Sequence, residues 1–171
     1  SVVHFSPTEV VFSFVQQDAT TLGNWRGVYG TLGHLIVGLS TNLPVTNLQV
    51  SLNNGATLGL RSNNPDASAL ERTDTDAVTN RFAAYQFDAN ALLVTVDLPA
   101  GVTNRIAFYL MERGVTRTER FDLMDATGTV VLDSRTVSAL SNAVYLVYDV
   151  SGPVMARITR ITGADAVLSA V

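Results

Sequence analysis

Apolar and polar residues alternate along this chain in short runs, and the period is two rather than 3.6. Leu48, Val50 and Leu52 alternate with Gln49 and Ser51, the signature of a strand with one buried and one wet face. Asn53-Asn54-Gly55 follows as a turn, because Asn and Gly tolerate positive φ. Arg81–Phe87 and Leu92–Leu98 flank Asp88-Ala89-Asn90 and read as a hairpin, closed by Pro99-Ala100-Gly101. Ile106, Phe108 and Leu110 point one way, with Ala107 and Tyr109 the other. Phe121–Met124 and Thr129–Asp133 bracket Asp125-Ala126-Thr127-Gly128, a second hairpin with its glycine at the left-handed position. Val144, Leu146, Tyr148 and Val150 alternate before Ser151-Gly152-Pro153, and strands over 155–162 and 166–171 complete the series. Only Asn64–Arg72 offers a helical turn. About ten strands without crossover helices predict an all-β, antiparallel two-sheet sandwich.

Composition adds bounds to this picture. The 171 residues show no repeat or linker and predict one domain over 1–171, with 47% hydrophobic residues to fill a core. Net charge is −4, which argues against nucleic acid as a partner, since phosphate tracking needs clustered positive charge. Cysteine is absent, so disulfides give no report of the compartment. All 11 basic residues are arginine. No signal peptide or membrane span reads in 1–15. The apolar ends without an initiating Met suggest a mature fragment or an excised module of a secreted or cell-surface protein.

Candidate chemistry concentrates in Gly23-Asn24-Trp25-Arg26-Gly27-Val28-Tyr29-Gly30, three glycines around the single tryptophan. Trp25 and Tyr29 are amphipathic rings suited to stacking on a sugar face, and Arg26 supplies bidentate hydrogen bonds. The plainer alternative is that Trp25 plugs one end of the sandwich. Tyr85 is a further candidate platform, with Tyr109, Tyr145 and Tyr148 also in strands. Tyr145 and Tyr148 are three apart and face opposite sides, so at most one lines a groove. Asp74-Thr75-Asp76 resembles part of a calcium loop, making Asp74 and Asp76 candidate metal ligands against the default of a solvated loop. His4 and His34 sit in no nucleophile or metal motif, and His34 reads as a strand-start residue capping a sheet end. Without Cys or Lys there is no thiolate nucleophile or Schiff base. Glu112 and Glu119 among Arg113, Arg117 and Arg120 read as a salt-bridged surface hairpin. The expectation is a chain that does not catalyse.

The run from Asp18 to Gly30 resembles the opening of β-sandwich accessory modules in large secreted bacterial proteins, some of them glycoside hydrolases. The segments 105–110, 123–135, 145–152 and 157–164 are similar to the same modules. The resemblance implies a galactose-binding-like jelly roll that holds polysaccharide near an enzyme. Two departures stand out: Leu32-Gly33-His34 where such modules often carry an aromatic, and Met111-Glu112-Arg113 where they tend to place a Trp. The expected function is therefore a carbohydrate-binding module with polysaccharide and neighbouring domains as partners. The alternative is a structural or adhesive module that packs on its neighbours or on itself, which the positive mean hydropathy favours.

Overall fold

A computed structural model describes residues 10–44, 48–54, 59–74, 80–111, 116–138 and 142–171, the side chains of 59–64 excepted. The strands are β1 (Val11–Asp18), β2 (His34–Ile36), β3 (Ser40–Asn42), β4 (Gln49–Leu52), β5 (Gly59–Asn64), β6 (Leu70–Glu71) and β7 (Arg81–Asp88). They continue as β8 (Ala91–Asp97), β9 (Thr103–Leu110), β10 (Thr118–Asp125), β11 (Val131–Ser138), β12 (Val144–Ser151), β13 (Val154–Thr162) and β14 (Ala166–Leu168). The described residues contain no α-helix, and so none long and apolar enough to cross a membrane. All strand pairings are antiparallel, as the alternation predicts.

Among the described residues the strands form four sheets rather than two. A three-stranded sheet runs β1-β12-β9 and a five-stranded sheet runs β11-β10-β13-β8-β4. A third sheet runs β14-β7-β5 with β6 beside β7, and β2 and β3 form a pair. The residues 169–171 tie these together. Tyr109 donates its N–H to the Ala170 carbonyl, and Leu35 and Val171 exchange both backbone hydrogen bonds. Immediately before them, β14 pairs with β7. One six-residue stretch thus joins three sheets.

Two cores follow from this arrangement. In the first, Ile106, Phe108, Leu146, Tyr148 and Val150 of the three-stranded sheet meet Val94, Phe121, Leu123, Ala156 and Ile158 of the five-stranded one. In the second, Tyr109, Tyr145 and Val147, from the opposite face of β9 and β12, meet Trp25, Ala69, Leu70 and Phe82. The central three-stranded sheet is therefore covered on both faces. This is why β12 is buried at six of its eight positions, although alternation alone predicts a wet face.

Three sequence expectations change. Arg81–Phe87 and Leu92–Leu98 are strands, but β7 and β8 do not pair, so Asp88-Ala89-Asn90 carries the chain between sheets instead of closing a hairpin. The Asp88 carboxylate accepts the N–H groups of Asn90 and Ala91 and fixes that corner. The expected helical turn within Asn64–Arg72 is an Asp66 turn, where Oδ1 accepts from Ser68 N and Oγ, followed at once by β6. Glu119 is not on a surface hairpin. It is fully buried, its side chain on the same face of β10 as Phe121 and Leu123, and accepts a 2.7 Å hydrogen bond from Val167 N in β14. Glu112 and Arg113 lie outside the described residues.

Candidate functional site

The segment from Asp18 to Gly30 is shaped residue by residue. Asp18 Oδ1 accepts from Thr20 N, Thr20 Oγ1 and Thr21 N at 2.8, 2.8 and 3.0 Å, while Oδ2 accepts from the Tyr29 hydroxyl at 2.7 Å. Burial opposes ionisation of Asp18, but these hydrogen bonds, with that of the Thr21 side chain foremost, outweigh it and hold the carboxyl well below its ordinary range. Burial first, and then the Asp18 carboxylate, push the Tyr29 phenol up to about 12, so it remains a neutral donor. Gly23 passes so close to the neighbouring chain that a Cβ there would stand 1.8 Å from the Ala69 carbonyl oxygen. Gly30, at φ +70°, leaves room for Trp25, whose ring carbon would lie 2.7 Å from an added Cβ.

Trp25 is only 7% exposed. Its indole N–H donates to the Glu71 carbonyl at 2.9 Å, and its ring tilts against His34 at 4.9 Å. The Tyr29 ring lies 4.6 Å from Tyr145, which stacks on Tyr109 at 4.2 Å. These rings stand beside a cavity of about 190 Å³. Trp25, Tyr29 and Tyr145 contribute aromatic wall; Ile36, Leu48, Val50, Leu98 and Ile106 contribute aliphatic wall; Thr31, His34, Asn104 and Arg105 contribute polar groups. Val28 and Leu32 line it too and are 56% and 51% exposed, which puts apolar surface at its opening.

Of the candidate binding residues singled out in the sequence, the structure brings Trp25, Tyr29 and Tyr145 to this cavity. Arg26 is exposed, with Nη1 3.5 Å from the Arg72 carbonyl, and is not among the lining residues. Tyr85 packs with Phe87 at 6.0 Å, beneath the Arg117 guanidinium at 5.9 Å, against the first core. Tyr109, Tyr145 and Tyr148 are all buried rather than on an open sheet face, and of Tyr145 and Tyr148 only Tyr145 lines the cavity. Their hydroxyls donate to Ser68 O, Leu22 O and Asp133 Oδ2, which satisfies them in the interior. Tyr145 and Tyr148 do face opposite sides, one in each core. Asp74 pairs with Arg72 through both carboxylate oxygens, and Asp76 lies outside the described residues. Those residues contain no cluster of three metal-ligating side chains.

His34, Asn104 and Arg105 are cavity residues that the sequence did not flag as a site. His34 does begin a strand, as expected. Burial lowers its pKa, so it faces Trp25 as a neutral ring, with Nε2 3.2 Å from Ser40 Oγ. Arg105 is held by two hydrogen bonds to Asp149 at 2.8 and 2.9 Å. Nothing local in the sequence joins residues 104–105 to 25–34; the fold does. Chemically the cavity offers ring faces, aliphatic walls and a few hydrogen-bonding groups.

No known family's sequence profile matches the chain, and no curated protein matches it. Among solved structures, it is similar to the crystal structure of the enzymatically active domain of tailspike protein 4 from bacteriophage CBA120. Identity is 14% and the TM-score 0.28, with 73% of this chain matched to 19% of that one. The chain thus spans about a fifth of the length of the tailspike domain. Because that protein is described as enzymatically active, the expectation that this chain does not catalyse is withdrawn. Lacking Cys, Lys and a legible motif leaves carboxylate, histidine and tyrosine chemistry open.

Proposed function

We propose that this chain is a carbohydrate-binding module that seats one saccharide unit in the cavity walled by Trp25 and Tyr29, within a secreted or cell-surface multidomain protein. The observation that carries this is the convergence of aromatic rings with Thr31, His34, Asn104 and Arg105 at one concave site. A pyranose presents an apolar C–H face and a rim of hydroxyls, which such a mixture of ring faces and hydrogen-bonding groups complements. Neighbouring domains of the parent protein and polysaccharide are the partners in this reading. The shared first core of the three- and five-stranded sheets supports a jelly-roll, galactose-binding-like sandwich, to which the second core is an addition.

A glycan array followed by calorimetry tests the reading. Wild type should bind a defined glycan, and Asn104→Ala and Trp25→Phe, each shown to be folded, should weaken binding about tenfold. No bound glycan, or unchanged affinity in both variants, sinks it.

One observation favours a second reading, a structural or adhesive module: exposed Val28 and Leu32 at the cavity opening present apolar surface suited to a neighbouring domain or a second copy. Concentration-dependent association in ultracentrifugation that Leu32→Ser abolishes, without glycan binding, selects it.

A further inference from the structure

The outward face of the five-stranded sheet carries a built cluster of charge remote from the cavity reading and independent of it. Strand register fixes its layout. Ser134, Asp122, Arg157 and Leu93 lie in one row across β11, β10, β13 and β8, and Thr136, Arg120, Thr159 and Ala91 in the next. The alternate residues Phe121, Leu123 and Ile158 point into the first core, so these point away from it.

At the centre, the Asp122 carboxylate has only 3% of its side chain exposed. Oδ1 accepts from Ser134 Oγ at 2.6 Å. Oδ2 accepts from Arg120 Nε at 3.2 Å and from Arg157 Nε and Nη2 at 3.2 and 2.8 Å. Burial opposes its ionisation, but the hydrogen bonds from Ser134 and Arg157 prevail and hold the carboxyl below its ordinary range. One carboxylate therefore orients two guanidiniums and neutralises one of them. The other positive charge is left over, at side chains that are 47% and 34% exposed.

Among the described residues, both terminal nitrogens of Arg120 and Nη1 of Arg157 make no hydrogen bond to the protein. Thr159, the direct partner of Arg120, has a buried hydroxyl that also has no partner among them. Guanidinium N–H groups held in a fixed fork match the paired oxygens of carboxylates and sulfates. The rows carry no aromatic ring, so affinity on this face rests on charge. Asp97 stands on the same face, four residues along β8 from Leu93.

We propose that this face binds the carboxylate or sulfate groups of an acidic polysaccharide, with Arg120 and Arg157 as the contacting residues. A chain of net charge −4 gathers polyanions poorly in general, so binding must be local to this cluster.

The test uses polygalacturonate for carboxylate, dextran sulfate for sulfate and neutral dextran as control, by calorimetry at low salt. Wild type should bind at least one of the acidic polymers and not dextran, with affinity falling as salt rises. Arg120→Gln and Arg157→Gln should each weaken binding fivefold or more, while Arg160→Gln, which removes the same charge from the other face of β13, should not. Circular dichroism and melting temperature establish that each variant is folded. Should Arg157→Gln fail to fold, Arg120→Gln, with its more exposed side chain, carries the test. Absence of binding to both acidic polymers overturns the proposal, as does an equal loss in Arg160→Gln.

Discussion

The two faces of the central sheet are covered by different means. On one face, strands of two sheets oppose each other, and Phe108, Phe121 and Tyr148 pack ring to ring within 4.9–6.5 Å. On the other, most of what opposes Tyr109 and Tyr145 comes from turns and short strands: Leu22, Trp25, Ala69 and Leu70. Turns bring unpaired carbonyls with them, and buried carbonyls need donors. The second core supplies these from its own ring tips and from Arg81: Tyr145 to Leu22, Tyr109 to Ser68, Trp25 to Glu71 and Arg81 to Ala69. A sheet can be covered by irregular chain when the covering side chains are amphipathic aromatics.

Four measurements would break or sharpen this contrast. Phe108→Ala should have the largest effect, about 3–5 kcal/mol lost in urea unfolding, because a fully buried ring leaves a cavity between two stiff sheets. Glu119→Gln probes an acid buried on the face of the first core. Burial raises its pKa to about 8 from an unfolded value near 4.5. The folded state therefore prefers the protonated acid, and wild-type stability should fall as pH rises through that window. Gln keeps an acceptor for Val167 N without a charge. It should flatten the pH dependence and gain a few kcal/mol at pH 8.5, at about 1.4 kcal/mol per pKa unit. A wild type equally stable at pH 5 and 8.5 would falsify this.

Gly23→Ala forces a Cβ against the Ala69 carbonyl and should cost about 1–3 kcal/mol. The loss should register as red-shifted emission from Trp25 at urea concentrations where circular dichroism is still native. Coincident transitions would mean that the two cores do not loosen separately. Tyr145→Phe removes a single donor from the Leu22 carbonyl and should cost the least, about 1 kcal/mol.

The alternation in 106–110 and 144–150 was enough to place the strands of the first core and to put Tyr145 and Tyr148 on opposite faces. It was also enough for the β10–β11 hairpin, whose Gly128 has φ +69°. It was not enough for the second core, because turn residues carry no period and Ala69 reads as any other alanine. The β7–β8 corner was misread since Asp-Ala-Asn serves equally to close a hairpin or to change sheets; only the partners of β7 decide. Both rings of the aromatic pair at the cavity, Trp25 and Tyr29, were visible in the sequence, but His34, Asn104 and Arg105 join them through tertiary contact alone. Glu119 was placed on the surface by its arginine neighbours in sequence, whereas its alternation with Phe121 and Leu123 carried the better signal.

The ladder between β1 and β12 has a consequence in time. Val11 pairs with Ser151, and β12 in turn pairs with β9, so the central sheet closes only when segments from both ends of the chain meet. Such long-range pairing makes folding slow, since loop entropy must be lost before any ladder energy is gained. On a ribosome that adds about 5–20 residues per second, β1 must wait seconds to tens of seconds for its partner to be made. The central sheet therefore closes late, after β12 has been made, however early β1 emerges.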